Sequence, residues 1–166
     1  MTFFNIFNRL IFAVSFLFIS ISLLAEPTLE EVVVSARKVD ENLQDVPIAM
    51  SVFTSSDIED AGIERPEDFI ALTPNVVMAN TVNVGDTLVT IRGLTSTRDA
   101  ESNFAFVVDG VLQTNPNAFN RELLDIAQIE VLKGPQGALY GRNATSGAIL
   151  ITTKAPSGES ENTAVV

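Results

Sequence analysis

Between Ile129 and Pro156 the chain reads IEVLKGPQGALYGRNATSGAILITTKAP, and no other stretch limits the possible folds so strongly. Two apolar strand-like runs, Ile129–Leu132 and Ala148–Thr153, enclose a loop punctuated by Gly134, Gly137, Gly141 and Gly147. Glycine alone reaches positive φ without steric cost, so this spacing calls for sharp turns and close packing against a neighbour. A glycine-rich connection inside a small sheet domain satisfies that demand. A phosphate-binding loop does not: the stretch lacks Gly-Lys-Ser/Thr and Gly-x-Gly-x-x-Gly, and no acidic residue follows at the spacing of a dinucleotide fold.

Composition removes several further chemistries. The 166 residues include no cysteine and no histidine, which excludes thiol nucleophiles, Cys/His zinc sites, haem ligation by either residue and a Ser-His-Asp relay. The formal net charge is −11 and no basic stripe is present, so nucleic acid is not an expected partner. No catalytic constellation, metal site or cofactor is expected. Carboxylates such as Asp57, Glu59 and Asp60 fit helix starts and solvent-facing charge, and no calcium-loop pattern accompanies them.

The N-terminus carries a compartment signal. Arg9 precedes an apolar run, Leu10–Leu24, and Ala25 supplies a small residue ahead of Glu26-Pro27. The pattern predicts a secretory signal peptide over 1–25, cleaved after Ala25, with Leu23 at the −3 position larger than the usual small residue. An uncleaved anchor is the alternative, but 15 apolar residues fall short of the roughly 20 needed to span a bilayer.

Residues 26–42 form a charged extension around a short apolar run. Val32, Val33 and Val34 are three β-branched residues in succession, too short a strand to form a sheet of its own. On the residues alone two readings stand: an edge strand of the following domain, or an extended segment that adds to another protein's sheet. A compact domain is expected over 43–155. Alternation over Pro47–Phe53 predicts a strand. Ser55 or Ser56 is the expected cap of a short acidic helix ended by Gly62, and a second helix covers Arg65–Leu72 with Pro66 in its first turn. Thr87–Arg92 reads as a strand, and Asp109-Gly110 between two β-rich runs predicts a type I′ hairpin. A short helical turn is expected at Arg121–Ile126. The polar loops 94–103 and 114–120 are where binding residues would sit, with Thr95, Ser96, Arg98, Asn115, Asn117, Phe119 and Asn120 as candidates. Asp109, Gly110, Gly134, Gly137, Gly141 and Gly147 are expected in structural turns, and 156–166 reads as a linker. The fold class is therefore α+β: a small mixed β-sheet with short helices and long polar loops.

Four segments together resemble the plug domain of TonB-dependent outer-membrane receptors. They are the 129–149 stretch, LEEVVVSA at 29–36, Thr90-Ile91-Arg92-Gly93, and Val107-Val108-Asp109-Gly110-Val111, in the family's order. The resemblance implies a plug that fills a barrel of about 22 strands and takes part in active uptake of a scarce nutrient such as a ferric siderophore. It implies that Leu29, Glu30, Glu31, Val32, Val33, Val34, Ser35 and Ala36 form a TonB box that adds as a strand to the TonB C-terminal domain. It also implies that Arg92, Lys133 and Arg142 face carboxylates on the barrel wall, Lys133 standing where the family usually has arginine. Such a receptor resides in the cell outer membrane and is not an enzyme. At about ten residues per strand the barrel needs roughly 220 residues, and ten follow Pro156. This stretch alone is not expected to form a pore and reads as a truncated or fragment form, periplasmic if it exists alone. A stand-alone soluble periplasmic binding module is the alternative.

Overall fold

The computed structural model describes residues 31–35, 38–39, 41–80, 87–96 and 101–156. From Val32 onward these residues belong to one compact unit, so the segment before Leu43 is part of it. Glu31 is the described residue of the other unit. Among the described residues no helix is long and apolar enough to cross a membrane.

A five-stranded sheet organises the unit. It contains β3 (Met50–Thr54), β7 (Phe104–Val108), β8 (Val111–Leu112), β9 (Ile126–Lys133) and β10 (Gly147–Thr153), in the order β3-β9-β10-β7-β8. β10 pairs antiparallel with β9 and parallel with β7. Two smaller sheets flank it: β1 (Val33–Val34) with β2 (Glu41–Asn42), and β4 (Val76–Asn80), β5 (Thr87–Ile91) and β6 (Leu94–Thr95) in that order. Among the described residues of the unit are three short α-helices: α1 (Ser55–Ala61), α2 (Pro66–Leu72) and α3 (Gly137–Tyr140).

Side chains alternate across a strand, so the central sheet has two different faces. Ile129 and Val131 of β9 and Ile149 and Ile151 of β10 join Phe69, Phe104, Phe106 and Phe119 in the larger core. Phe119 is its aromatic hub, with edge-on contacts at centroid distances of 5.2 Å to Phe104, 5.1 Å to Phe106 and 6.3 Å to Phe69. The opposite face gathers Leu132, Ala148, Leu150, Ala105 and Val107, with Ile48, Met50 and Tyr140 packed over them.

Local signals account for the helix boundaries. Thr54, one residue earlier than expected, caps α1: its hydroxyl accepts from the Asp57 N–H, while the Asp57 carboxylate accepts from the Thr54 N–H at 2.9 Å. The Thr54 N–H, and next the Thr54 hydroxyl, which donates to the same carboxylate at 2.7 Å, hold the Asp57 carboxyl below the ordinary aspartate range. Gly62 closes the helix in the left-handed region at φ 63°. The Asp68 carboxylate accepts from the backbone N–H groups of Glu64 and Arg65 ahead of α2, and Pro66 fills its first position. The helical turn expected at Arg121–Ile126 is not there: β9 begins at Ile126, and the turn is a 3₁₀ segment at Pro116–Asn120. Burying Phe119 in the hub is what winds that segment inward.

The four glycines of the 134–147 loop serve different needs. Gly134 and Gly141 have positive φ, 117° and 85°. Gly147 does not need it; a Cβ there would lie 2.3 Å from the Leu132 carbonyl oxygen, so the β9–β10 approach itself excludes a side chain. Gly137, expected in a turn, instead starts α3 with open space around its Cα. The expected hairpin forms with Asp109 at φ 47° and Gly110 at φ 78°.

Phe69 is fully buried, and Phe69→Ala should destabilise the unit by about 3–5 kcal/mol in chemical denaturation. Gly147→Ala should cost about 1–3 kcal/mol by forcing β10 from β9, whereas Gly137→Ala should be neutral or stabilise by about 0.5 kcal/mol. Because the Asp57 pKa is lowered on folding, its stabilisation is present at neutral pH and fades as pH falls through the folded pKa. The gap in Tm between the wild type and Asp57→Asn should therefore close on acidification.

Candidate functional site

β1 lies on the second face of the central sheet. In its register Val32 is opposite Leu43, whose N–H donates to the Val32 carbonyl at 3.0 Å, so Val32 and Val34 turn their main-chain groups toward β2. Val33 and Ser35 then point theirs the other way, where two side chains of β9 meet them. The Gln128 amide donates to the Val33 carbonyl at 3.0 Å, and Glu130 Oε1 accepts from the Ser35 N–H at 3.0 Å and from the Ser35 hydroxyl at 3.3 Å. Gln128 also donates to Glu130 Oε1 at 3.2 Å, tying the donor and the acceptor into one group. Val34 is 1% exposed and Val33 49%, so the short strand buries one side chain and shows the next to solvent.

Glu130 itself is 2% exposed, a carboxylate held inside a sheet between Ile129 and Val131. Its negative charge and, more strongly, burial push the Tyr140 hydroxyl pKa up. The Lys38 ammonium lies 5.6 Å from the Tyr140 ring centroid, within cation–π range. A cavity of about 470 Å3 opens here, lined by Ser35, Lys38, Val107, Leu139, Tyr140 and Leu150 among others. Sequence reasoning passed over both Gln128 and Glu130. The available signal was a charge interrupting an otherwise apolar strand.

Of the expected TonB box, Glu31 and Val32–Ser35 are described; Leu29, Glu30 and Ala36 lie outside the described residues.

The three cations expected to face a barrel do not form one group. Arg92 and Lys133 come together: a Cβ on Gly134 would lie 3.0 Å from Arg92 Nη1, so glycine there leaves room for the guanidinium. Arg92 adopts φ 51° in the turn between β5 and β6. The Lys133 ammonium donates to the Ser51 hydroxyl at 3.0 Å and reaches the Pro74 carbonyl at 3.4 Å. Burial, and then the positive charge of Arg92, lower the Lys133 pKa. Two like charges held this close favour an incoming carboxylate. Arg142 sits elsewhere, in an exposed 2.8 Å ion pair with Glu101, a contact of the kind worth little by itself.

The loop candidates also separate. Ser96 is buried, donating to the Val89 carbonyl and the Asn103 side chain. Phe119 is the core hub described above, so neither side chain faces a ligand from this conformation. Both sit in polar stretches but turn inward because the hydroxyl and the ring find interior partners. Thr95 is exposed and accepts from the Thr90 hydroxyl at 3.0 Å. Asn115 is exposed, and Asn120 accepts from the Thr87 hydroxyl at 2.6 Å. Asn117 falls in the 3₁₀ segment, and Arg98 lies outside the described residues. Asn103, also missed, is the anchor of the first loop: its carbonyl accepts from Ser146 N–H, Ser146 Oγ and Thr145 Oγ1. Asp109 is structural, its carboxylate accepting from the Thr153 N–H and hydroxyl at the end of β10. Among the described residues no cluster of acidic side chains could hold a metal ion.

Comparison with known proteins bears on this arrangement. The family described as TonB-dependent Receptor Plug Domain matches residues 42–148. The pesticin receptor of Yersinia pestis is 31% identical over 110 residues, covering 66% of this chain and 16% of the relative. The vitamin B12 transporter BtuB of Vibrio vulnificus is 33% identical over 139 residues, covering 80% and 22%. Among solved structures, the ferric yersiniabactin uptake receptor FyuA from Yersinia pestis superposes with TM-score 0.61 at 29% identity, over 68% of this chain and 18% of that one. The ferripyoverdine receptor of Pseudomonas aeruginosa shares the fold, with TM-score 0.62 at 20% identity over 77% of this chain and 17% of that one. The chain thus spans about a fifth or less of the length of these relatives. With the family matching most of the compact unit and its sheet superposing on solved receptors, the chain belongs to the plug domain family of TonB-dependent receptors, which are transporters and not enzymes.

Proposed function

We propose that this chain is the plug of an outer-membrane receptor for active uptake of a scarce nutrient such as a ferric siderophore. The observation that carries the reading is the position of β1. A short valine strand stands a few residues before 42–148, the stretch that matches the plug family, and is held by Gln128 and Glu130 of the plug's central sheet. In this reading 1–25 direct export, 29–36 pair with the TonB C-terminal domain by strand addition, and 156–166 lead toward a barrel of about 22 strands. Force applied at the N-terminal strand would then act on the sheet beneath it.

Arg92 and Lys133 are the plug's docking charges toward carboxylates of that barrel. Their mutual closeness supports this role, since an acidic partner would offset both the burial and the Arg92 repulsion that lower the Lys133 pKa. An ammonium makes a point contact where a guanidinium would make a bidentate one. The ligand side is assigned to loops 94–103 and 114–120, through Thr95, Arg98, Asn115 and Asn117. The names of the relatives, a pesticin receptor, a vitamin B12 transporter and siderophore receptors, support a bulky nutrient without choosing among them.

The strand assignment is tested by Val33→Pro, which removes an N–H and cannot complete a ladder. Titration of the purified chain with a TonB C-terminal domain should show binding for the wild type and none for the variant. Equal affinity of the two would rule out strand addition through 29–36.

A further inference from the structure

The N-terminal strand is accessible to a partner sheet only through its main-chain edges, and both edges are occupied. Toward β2, the Leu43 N–H holds the Val32 carbonyl, and Val34 is paired with Glu41. On the outer edge, the Val33 carbonyl and the Ser35 N–H are held by side chains of β9, Gln128 and Glu130, each at 3.0 Å. The first is ordinary strand pairing. The second is unusual: two side chains two residues apart on a neighbouring sheet reproduce the acceptor and donor that a partner strand would present. Gln128 supplies the N–H and Glu130 the oxygen, with their own 3.2 Å hydrogen bond fixing the spacing.

We propose that Gln128 and Glu130 act as a surrogate strand, capping the outer edge of β1 so that a partner sheet can add there only after these two side chains let go. The proposal rests on the reading of 29–36 as a partner-binding strand but concerns a separate question, namely what keeps that strand from pairing. Three features of the site fit the role. The hydrogen bonds are confined to main-chain groups plus the Ser35 hydroxyl, so they would hold any residue at Val33 and do not depend on its side chain. Glu130 is 2% exposed, so the oxygen that accepts from Ser35 is kept from water while β1 is in place. Ser35, whose N–H Glu130 holds, also lines the 470 Å3 cavity, from which water can reach that contact as β1 leaves. An apolar residue at 130 would gain no such compensation.

The test uses the purified chain in three forms: wild type, Gln128→Ala and Glu130→Gln. Amide exchange followed by NMR reports the cap directly, and the amides of Val131 and Ile149 report whether the sheet is intact. With those core amides unchanged, the Ser35 amide should exchange about tenfold faster in Glu130→Gln, the order expected for weakening one buried hydrogen bond. Affinity for a TonB C-terminal domain should rise several-fold in both variants. Unchanged Ser35 exchange in Glu130→Gln with an intact core would overturn the cap, as would unchanged affinity beside measurable wild-type binding. Faster Ser35 exchange together with no binding by any form would uphold the cap and remove the proposed partner. If Glu130→Gln loosens the core, Ser35→Ala, which keeps the N–H but deletes the hydroxyl contact, carries the same comparison from the strand's side.

Discussion

Seven residue pairs, from Gly147 opposite Lys133 to Thr153 opposite Ile126, hold β10 against β9, and both faces of the molecule depend on that register. A slip of one residue would exchange the faces. It would carry Glu130 toward the phenylalanine core and Ile129 toward β1. Gly147 enforces the close end of the ladder because the Leu132 carbonyl occupies the space a side chain would take. Asp109 closes the far end, receiving hydrogen bonds from Thr153 while its own N–H donates to the Ile151 carbonyl. The strand that carries the glycine-rich loop is therefore fixed at both extremities, and β7 can pair with it in parallel.

The two faces of that sheet are built from different kinds of interaction. The helical face is apolar and aromatic, with Phe119 surrounded by three other rings. Such packing is strong and non-directional, and a single truncation there costs several kcal/mol. The other face carries β1 through one buried valine and a handful of directed hydrogen bonds, each worth on the order of 1 kcal/mol net and more where a carboxylate accepts. The unit thus combines a face that stays closed with one whose cover is held by contacts that water can replace.

Much of this architecture could be read from local chemistry. Asp109-Gly110 forms the expected turn because two consecutive positive φ angles leave few residues to choose from. The boundaries of α1 and α2 followed from Gly62, Pro66 and nearby carboxylates, with a shift of one residue at Thr54. What could not be read was non-local. The parallel pairing of β7 with β10 joins residues about 40 positions apart and leaves no local trace. Phe119 stands among asparagines, so its neighbours suggest a solvent loop while its ring belongs to the core. The role of Glu130 is invisible without Ser35, 95 residues earlier. The residues alone also left the valine strand undecided between an edge strand and a free arm. The structure pairs it with β2.

Ser96 and Asn103 are tied to each other by a 2.9 Å hydrogen bond, and both are tied to the sheet, Ser96 through Val89 and Asn103 through Ser146. The residues between them therefore start and finish at one fixed point of the scaffold. Loop closure is then already achieved by the anchors, and the entropic cost of a longer insert grows only slowly with its length. This makes the segment an exchangeable cassette. Residues inserted between the two anchors would leave the register of the sheet beneath them unchanged.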